Sequence, residues 1–158
     1  DLVDASPDLD ALMEEVDAQY ELLSNLGFEL RYLDTHMGVD RVPGLAERIA
    51  EFCAKKKLVN NRASFDSGAF ARLPDWPGPG EHPGTELADH LAQVPAGTYL
   101  LVGHPATKDE AIHHIRHEGL APGDVAMQRN RQRRMFMDIE IIDYCENVGI
   151  ELLRYTDL

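Results

Sequence analysis

Runs with the spacing of amphipathic helices alternate along this chain with short β-prone runs, and that alternation restricts the fold more than any other feature. Leu9, Leu12, Met13, Val16, Tyr20 and Leu23 recur at helical intervals after Ser6 and Pro7, which read as an N-cap and a first-turn proline, and Gly27 closes the pattern. Residues 28–33 then read as a strand. After Pro43 and Gly44 a second helical face carries Leu45, Ile49, Phe52 and Cys53 and ends on Lys55, Lys56 and Lys57, where positive charge favours a helix C-terminus. Leu58 and Val59 begin a brief extended segment. Residues 98–102 are strongly β-prone, residues 109–117 fit a short helix, and Met135, Ile139, Ile142 and Cys145 mark one longer helix that Gly149 ends. Residues 150–155 read as a final strand. Strands that alternate with helices pair in parallel, so the expected class is α/β, a layer or a barrel, in one domain over residues 1–158.

Residues 60–84 interrupt the alternation. Pro74, Pro77, Gly78, Pro79, Gly80, Pro83 and Gly84 exclude a regular element there, so this Pro/Gly-rich stretch reads as a long or disordered loop. Loops longer than about 12 to 15 residues in a compact domain are functional lids or flexible segments. Trp76 in this loop fits two roles, stacking on a sugar ring or pinning the loop to the core.

Charge narrows the partners. With 28 acids against 15 bases the net charge is −13, which repels phosphate backbones and anionic membrane surfaces, so neither nucleic acid nor a membrane is expected. No apolar run approaches the roughly 18 to 20 residues of a membrane span. Residue 1 onward shows no basic segment followed by an apolar one, and the expected location is the cytoplasm. Cys53 and Cys145 lie on apolar helical positions without the spacing of a metal or redox pair, and read as small buried hydrophobes.

The residues suited to chemistry sit at strand ends. Asp34 and His36 directly follow the 28–33 run, two apart on an extended segment that puts both on one side, and carboxylate with neutral imidazole is a common ligand pair for divalent ions. Gly38 lets backbone or ligand approach closely. Read alone, each also fits a capped turn or a surface histidine. His104, between Gly103 and Pro105, ends the 98–102 run and suits a general acid or base near neutral pH, or equally a loop hydrogen bond. His113 and His117 fall four apart on the expected 109–117 helix without the glutamate of an HExxH site, which favours a solvated face. Arg129, Arg131, Arg133 and Arg134 read as a salt-bridged or loop surface.

Leu-Asp-Thr-His-Met at 33–37, Gly-Thr-Tyr-Leu-Leu-Val-Gly-His-Pro-Ala at 97–106 and Val-Gly-Ile-Glu-Leu-Leu at 148–153 resemble, in order and spacing, the YdjC-like carbohydrate deacetylases of the ChbG and HpnK type. Gln19 and Gly27 resemble positions of the helix that precedes the family's histidine motif. The resemblance implies a NodB-deacetylase-like fold, a partial or irregular (β/α) barrel. It also implies a divalent metal ion (zinc, magnesium and manganese not being distinguished) and hydrolysis of the linear N-acetyl amide of an amino sugar or oligosaccharide. By that likeness His36 is a metal ligand, Asp34 its neighbour in the catalytic site, and His104 a catalytic acid or a polar group beside the acetamide. Tyr32, Gly38 and Asp40 stand where many members carry further histidines. The family's opening strand, ending Asp-Asp-x-Gly, and a second histidine ligand have no counterpart here. Family barrels run to about 250 residues, so the chain is expected to be the C-terminal part of one, and its exposed strand edges imply homo-oligomer formation or instability. The alternative is a non-catalytic carbohydrate-binding or structural relative that has lost the metal site.

Overall fold

A computed structural model describes residues 6–158. The described residues group into two compact units, one comprising residues 6–70 with Leu153–Leu158 and the other Ala71–Leu152. Both combine helices with a two-stranded parallel sheet, a mixed architecture compatible with the α/β class. No described helix is long and apolar enough to cross a membrane.

In the first unit, helix α1 (Leu9–Asn25) starts at Asp8, whose carboxylate accepts from the Asp10 N–H. Ser6 therefore does not cap it, as the sequence suggested; the nearer acid takes that place. Leu9, Leu12 and Met13 pack against the buried Val42, Leu45, Ile49 and Cys53, three of which form the inner face of α2 (Leu45–Lys56). At the C-terminus of α2, Lys56 Nζ reaches Asp17 at 3.1 Å and Glu21 at 2.8 Å and lies 4.2 Å from the Tyr20 ring centroid, which fastens α2 to α1.

Strands β1 (Tyr32–Leu33) and β2 (Val59–Asn60) pair in register Tyr32 to Val59 and Leu33 to Asn60. The strand expected over 28–33 is thus two residues long, and Phe28 is 61% exposed. Its partner limits it. Lys57 turns into the left-handed region to close α2, and the Asn60 side chain accepts from the N–H groups of Arg62 and Ala63, starting α3 (Asn61–Asp66). Between those two caps no more backbone is available for a ladder. Replacing Asn60 by Ala leaves these donors without their cap and is expected to cost about 1 kcal/mol, read as a lowered urea midpoint.

In the second unit, β3 (Ala71–Arg72) pairs with β4 (Tyr99–Leu100), and helices α4 (Pro83–Leu91), α5 (Glu110–His113), α6 (Asp124–Phe136) and α7 (Ile139–Val148) follow in chain order. Leu73, Leu87, Met135, Ile141 and Cys145 form the core, with Trp76, Tyr99 and Ile150 packed against it. Both cysteines are buried, as expected, and burial raises both thiol pKa values.

Several expected elements differ. The 60–84 stretch contains α3 and β3, because Asn60 supplies a cap and Thr98 and Leu100 supply acceptors to Ala71 and Leu73. Residues 73–82 remain irregular, but they are tied down: His90 Nε2 bonds Pro74 O at 2.8 Å and its ring lies 5.1 Å from that of Trp76. Trp76 pins the loop to the core. The single helix expected across 135–145 is two, broken where Asp138 caps α7 through the Glu140 N–H. The helix expected over 109–117 stops at His113, so His113 and His117 do not share a helical face. Residues 150–154 form no strand, and Leu152 is 76% exposed. A β-prone sequence becomes a strand only against a pairing edge, and among the described residues none lies beside this segment.

Glu86 holds the entry to α4. Its carboxylate accepts from Gly80 N–H and from His82 N–H at 3.2 Å, and these bonds, Gly80's foremost, hold its pKa below the usual value near 4.5. A carboxyl whose pKa is depressed by folding stabilises the fold above its unfolded pKa, and that contribution fades as pH falls through the folded value. Glu86→Gln is therefore expected to flatten the loss of stability below pH 4.5, measured as unfolding midpoint against pH.

Candidate functional site

Asp34, Thr35 and His36 leave the C-terminal end of β1, the edge at which parallel sheets present chemistry. A 3₁₀ segment, His36–Arg41, turns the chain away at once. Met37 (φ 57°) and Gly38 (φ 68°) are consecutive left-handed residues, a conformation glycine adopts freely and methionine at a cost. Arg41 steadies this turn by donating to Gly38 O at 3.2 Å and Met37 O at 3.4 Å. Met37 itself is 82% exposed, so packing does not explain its strained backbone. Strain of this kind concentrates at binding and catalytic segments.

The neighbouring strand end braces the segment. Asn61, the first residue after β2, donates through Nδ2 to Asp34 Oδ1, and Arg62 donates to Asp40 Oδ2 at 3.1 Å while also meeting Asp66 at 2.8 Å. Asp40 is 7% exposed, its Oδ1 is buried without a hydrogen-bond partner, and Asn61 Oδ1 is in the same position. Asn61 at Asp34 and Arg62 at Asp40 thus hold the stretch containing His36 at both its ends, with Asn60 capping the helix that carries them. The sequence reading did not single them out, although polar residues directly after a β-prone run are the same signal that drew attention to Asp34 and His36.

Asp34, Thr35 and His36 line a cavity of ≈390 Å³ whose other walls are largely apolar side chains of α1 and α2, among them Leu12, Val16, Leu45 and Ile49. An apolar concavity with a few polar groups gathered at one place is the usual form of a small-molecule site. Asp34 supplies a carboxylate oriented by an amide, and His36 supplies an imidazole. A divalent ion accepts both donor types, but a catalytic zinc site takes three protein ligands. Among the described residues no three His, Cys, Asp or Glu side chains cluster as a ligand set. Asp34 and His36 therefore do not make a complete metal site by themselves.

His104 lies in the second unit, four residues beyond β4. Its N–H donates to Gln132 Oε1 at 2.7 Å, its carbonyl receives Arg129 Nη1 at 3.5 Å, and a Cβ added at Gly103 would collide with the Phe136 ring, so α6 fixes the backbone on both sides. His104 and His117 line a second cavity, of ≈420 Å³. Arg129, Arg131, Arg133 and Arg134, expected on a salt-bridged or loop surface, lie on helix α6: Arg133 bonds Asn130, Arg134 bonds Glu81 O, and the ion pairs among the described residues lie between residues 10 and 66.

No curated protein and no solved structure matches the chain. One family model does, over residues 1–147, a span that includes the Asp34–His36 segment, the His104 segment and nearly all of both cores, and on that extent the chain belongs to the YdjC-like protein family.

Proposed function

We propose that this protein is a metal-dependent hydrolase that removes the N-acetyl group of an amino sugar or oligosaccharide, on an irregular (β/α) barrel of which these residues form a part. Membership of the YdjC-like family, whose members are related to carbohydrate deacetylases, is the observation that carries the reading. The strained, braced strand end at 34–41 beside a cavity supports it. Amide hydrolysis needs a proton removed from the attacking water and another delivered to the departing amine. A carboxylate such as Asp34, held by Asn61, suits the first task, and an imidazole suits the second. His36 is the proposed metal ligand. The ion would require donors beyond Asp34 and His36.

The second reading, a carbohydrate-binding relative without chemistry, draws on the absence of a three-donor cluster among the described residues. Incubation of the protein with N-acetylated chito-oligosaccharides, with zinc, magnesium or manganese and in parallel with a chelator, separates the two. Equal amounts of free amine and acetate, lost on chelation, are expected. Saturable sugar binding without acetate would establish the second reading instead.

A further inference from the structure

The second cavity carries unspent positive charge. Two of its walls are Arg116 and Arg129, and in a chain of net charge −13 each would be expected to find an acid. Neither does among the described residues. Arg116 donates to His113 O at 2.7 Å and Arg129 to His104 O at 3.5 Å, both neutral carbonyls that occupy one Nη1 each and leave the remaining guanidinium donors available. Glu118, the one acid on the cavity wall, pairs with neither arginine. His117 Nδ1 donates to Glu118 O at 2.7 Å, so its neutral ring presents Nε2 as an acceptor and adds no donor for an anion. Gln132, gripped at Oε1 by the His104 N–H, keeps its amide NH₂ as a further donor.

Guanidinium groups present parallel N–H donors that match the oxygens of phosphate and carboxylate, and such charge-assisted bonds are roughly twice as strong as neutral ones. A concave wall also focuses their field more than a flat surface does. We propose that this cavity binds an oxyanion, a phosphate or carboxylate substituent of a small ligand, held chiefly by Arg116 and Arg129. Leu120 and Val125 on the same wall offer an apolar surface for the rest of the ligand. The site stands on this cavity alone and does not require deacetylase activity.

Titration of the protein at low ionic strength with inorganic phosphate and with acetate, followed by calorimetry and by arginine side-chain ¹⁵N resonances, tests this. Saturable binding is expected, weakened about tenfold or more by Arg116→Gln and by Arg129→Gln and unchanged by Arg134→Gln, whose guanidinium meets Glu81 O instead. Tighter phosphate binding assigns a phosphate ester, tighter acetate binding a carboxylate. Absence of saturable binding of either anion, or an equal loss in Arg134→Gln, overturns the site. Because the assay reads binding and not turnover, its failure is distinct from failure of the deacetylase reading.

Discussion

His36→Ala is expected to lower the rate of acetate release from an N-acetylated amino sugar by about a hundredfold or more, the range over which removing a directly acting group or a metal-site residue is felt. The imidazole belongs to an exposed residue in a turn that Arg41, Asn61 and Arg62 hold by bonds not involving it. Folding should therefore survive the change. The fall should appear in kcat/KM with no matching fall in stability. Acetate release at parental rates by a well-folded His36→Ala protein would take this residue out of the reaction.

Leu45→Ala is expected to remove about 2–5 kcal/mol of stability from the first unit. Leu45 is 2% exposed, sits at the first position of α2, and packs in the cluster with Val42, Ile49 and Cys53. It also lines the ≈390 Å³ cavity, so the atoms removed enlarge an existing gap and leave its other walls with fewer neighbours. A loss of that size is a large fraction of the 5–15 kcal/mol typical of a domain. Hydrogen exchange of the α2 amides reads it directly. Leu22→Ala on the exposed side of α1, where the residue is 60% accessible, is the control and should change protection little.

Helices were legible in this sequence where their own side chains fix their ends or their inner faces. The α2 face of Leu45, Ile49 and Cys53 and its terminal lysines stand where the spacing put them. Within 135–145 the apolar spacing ran smoothly across two helices, and it concealed the cap at Asp138 that divides them. Strand length was the least legible quantity. A β-prone run records what a residue tolerates, whereas the ladder at Tyr32 and Leu33 is set by how soon α2 ends and α3 begins on the partner segment.

The candidate site divides in the same way. Asp34 and His36 could be read because they end a β-prone run in a motif of adjacent residues. Their support could not, because Asn61 meets Asp34 across 27 residues and Arg62 meets Asp40 across 22. Such contacts exist only once β1 and β2 lie side by side. Of the two arginines in the second cavity, Arg129 stood in a basic run and Arg116 lay outside it, and a one-dimensional pattern does not tell a salt-bridged or loop surface from a wall facing a concavity.

The proposed hydrolysis of an N-acetyl amide by this YdjC-like protein is read most directly from the oxygen that hydrolysis must add. In ¹⁸O-labelled water with an N-acetylated chito-oligosaccharide and a divalent metal ion, each acetate released should carry one solvent oxygen, with one free amine formed per acetate. Acetate lacking the label, acetyl groups recovered on another acceptor, or no acetate with any of the three metals would contradict it.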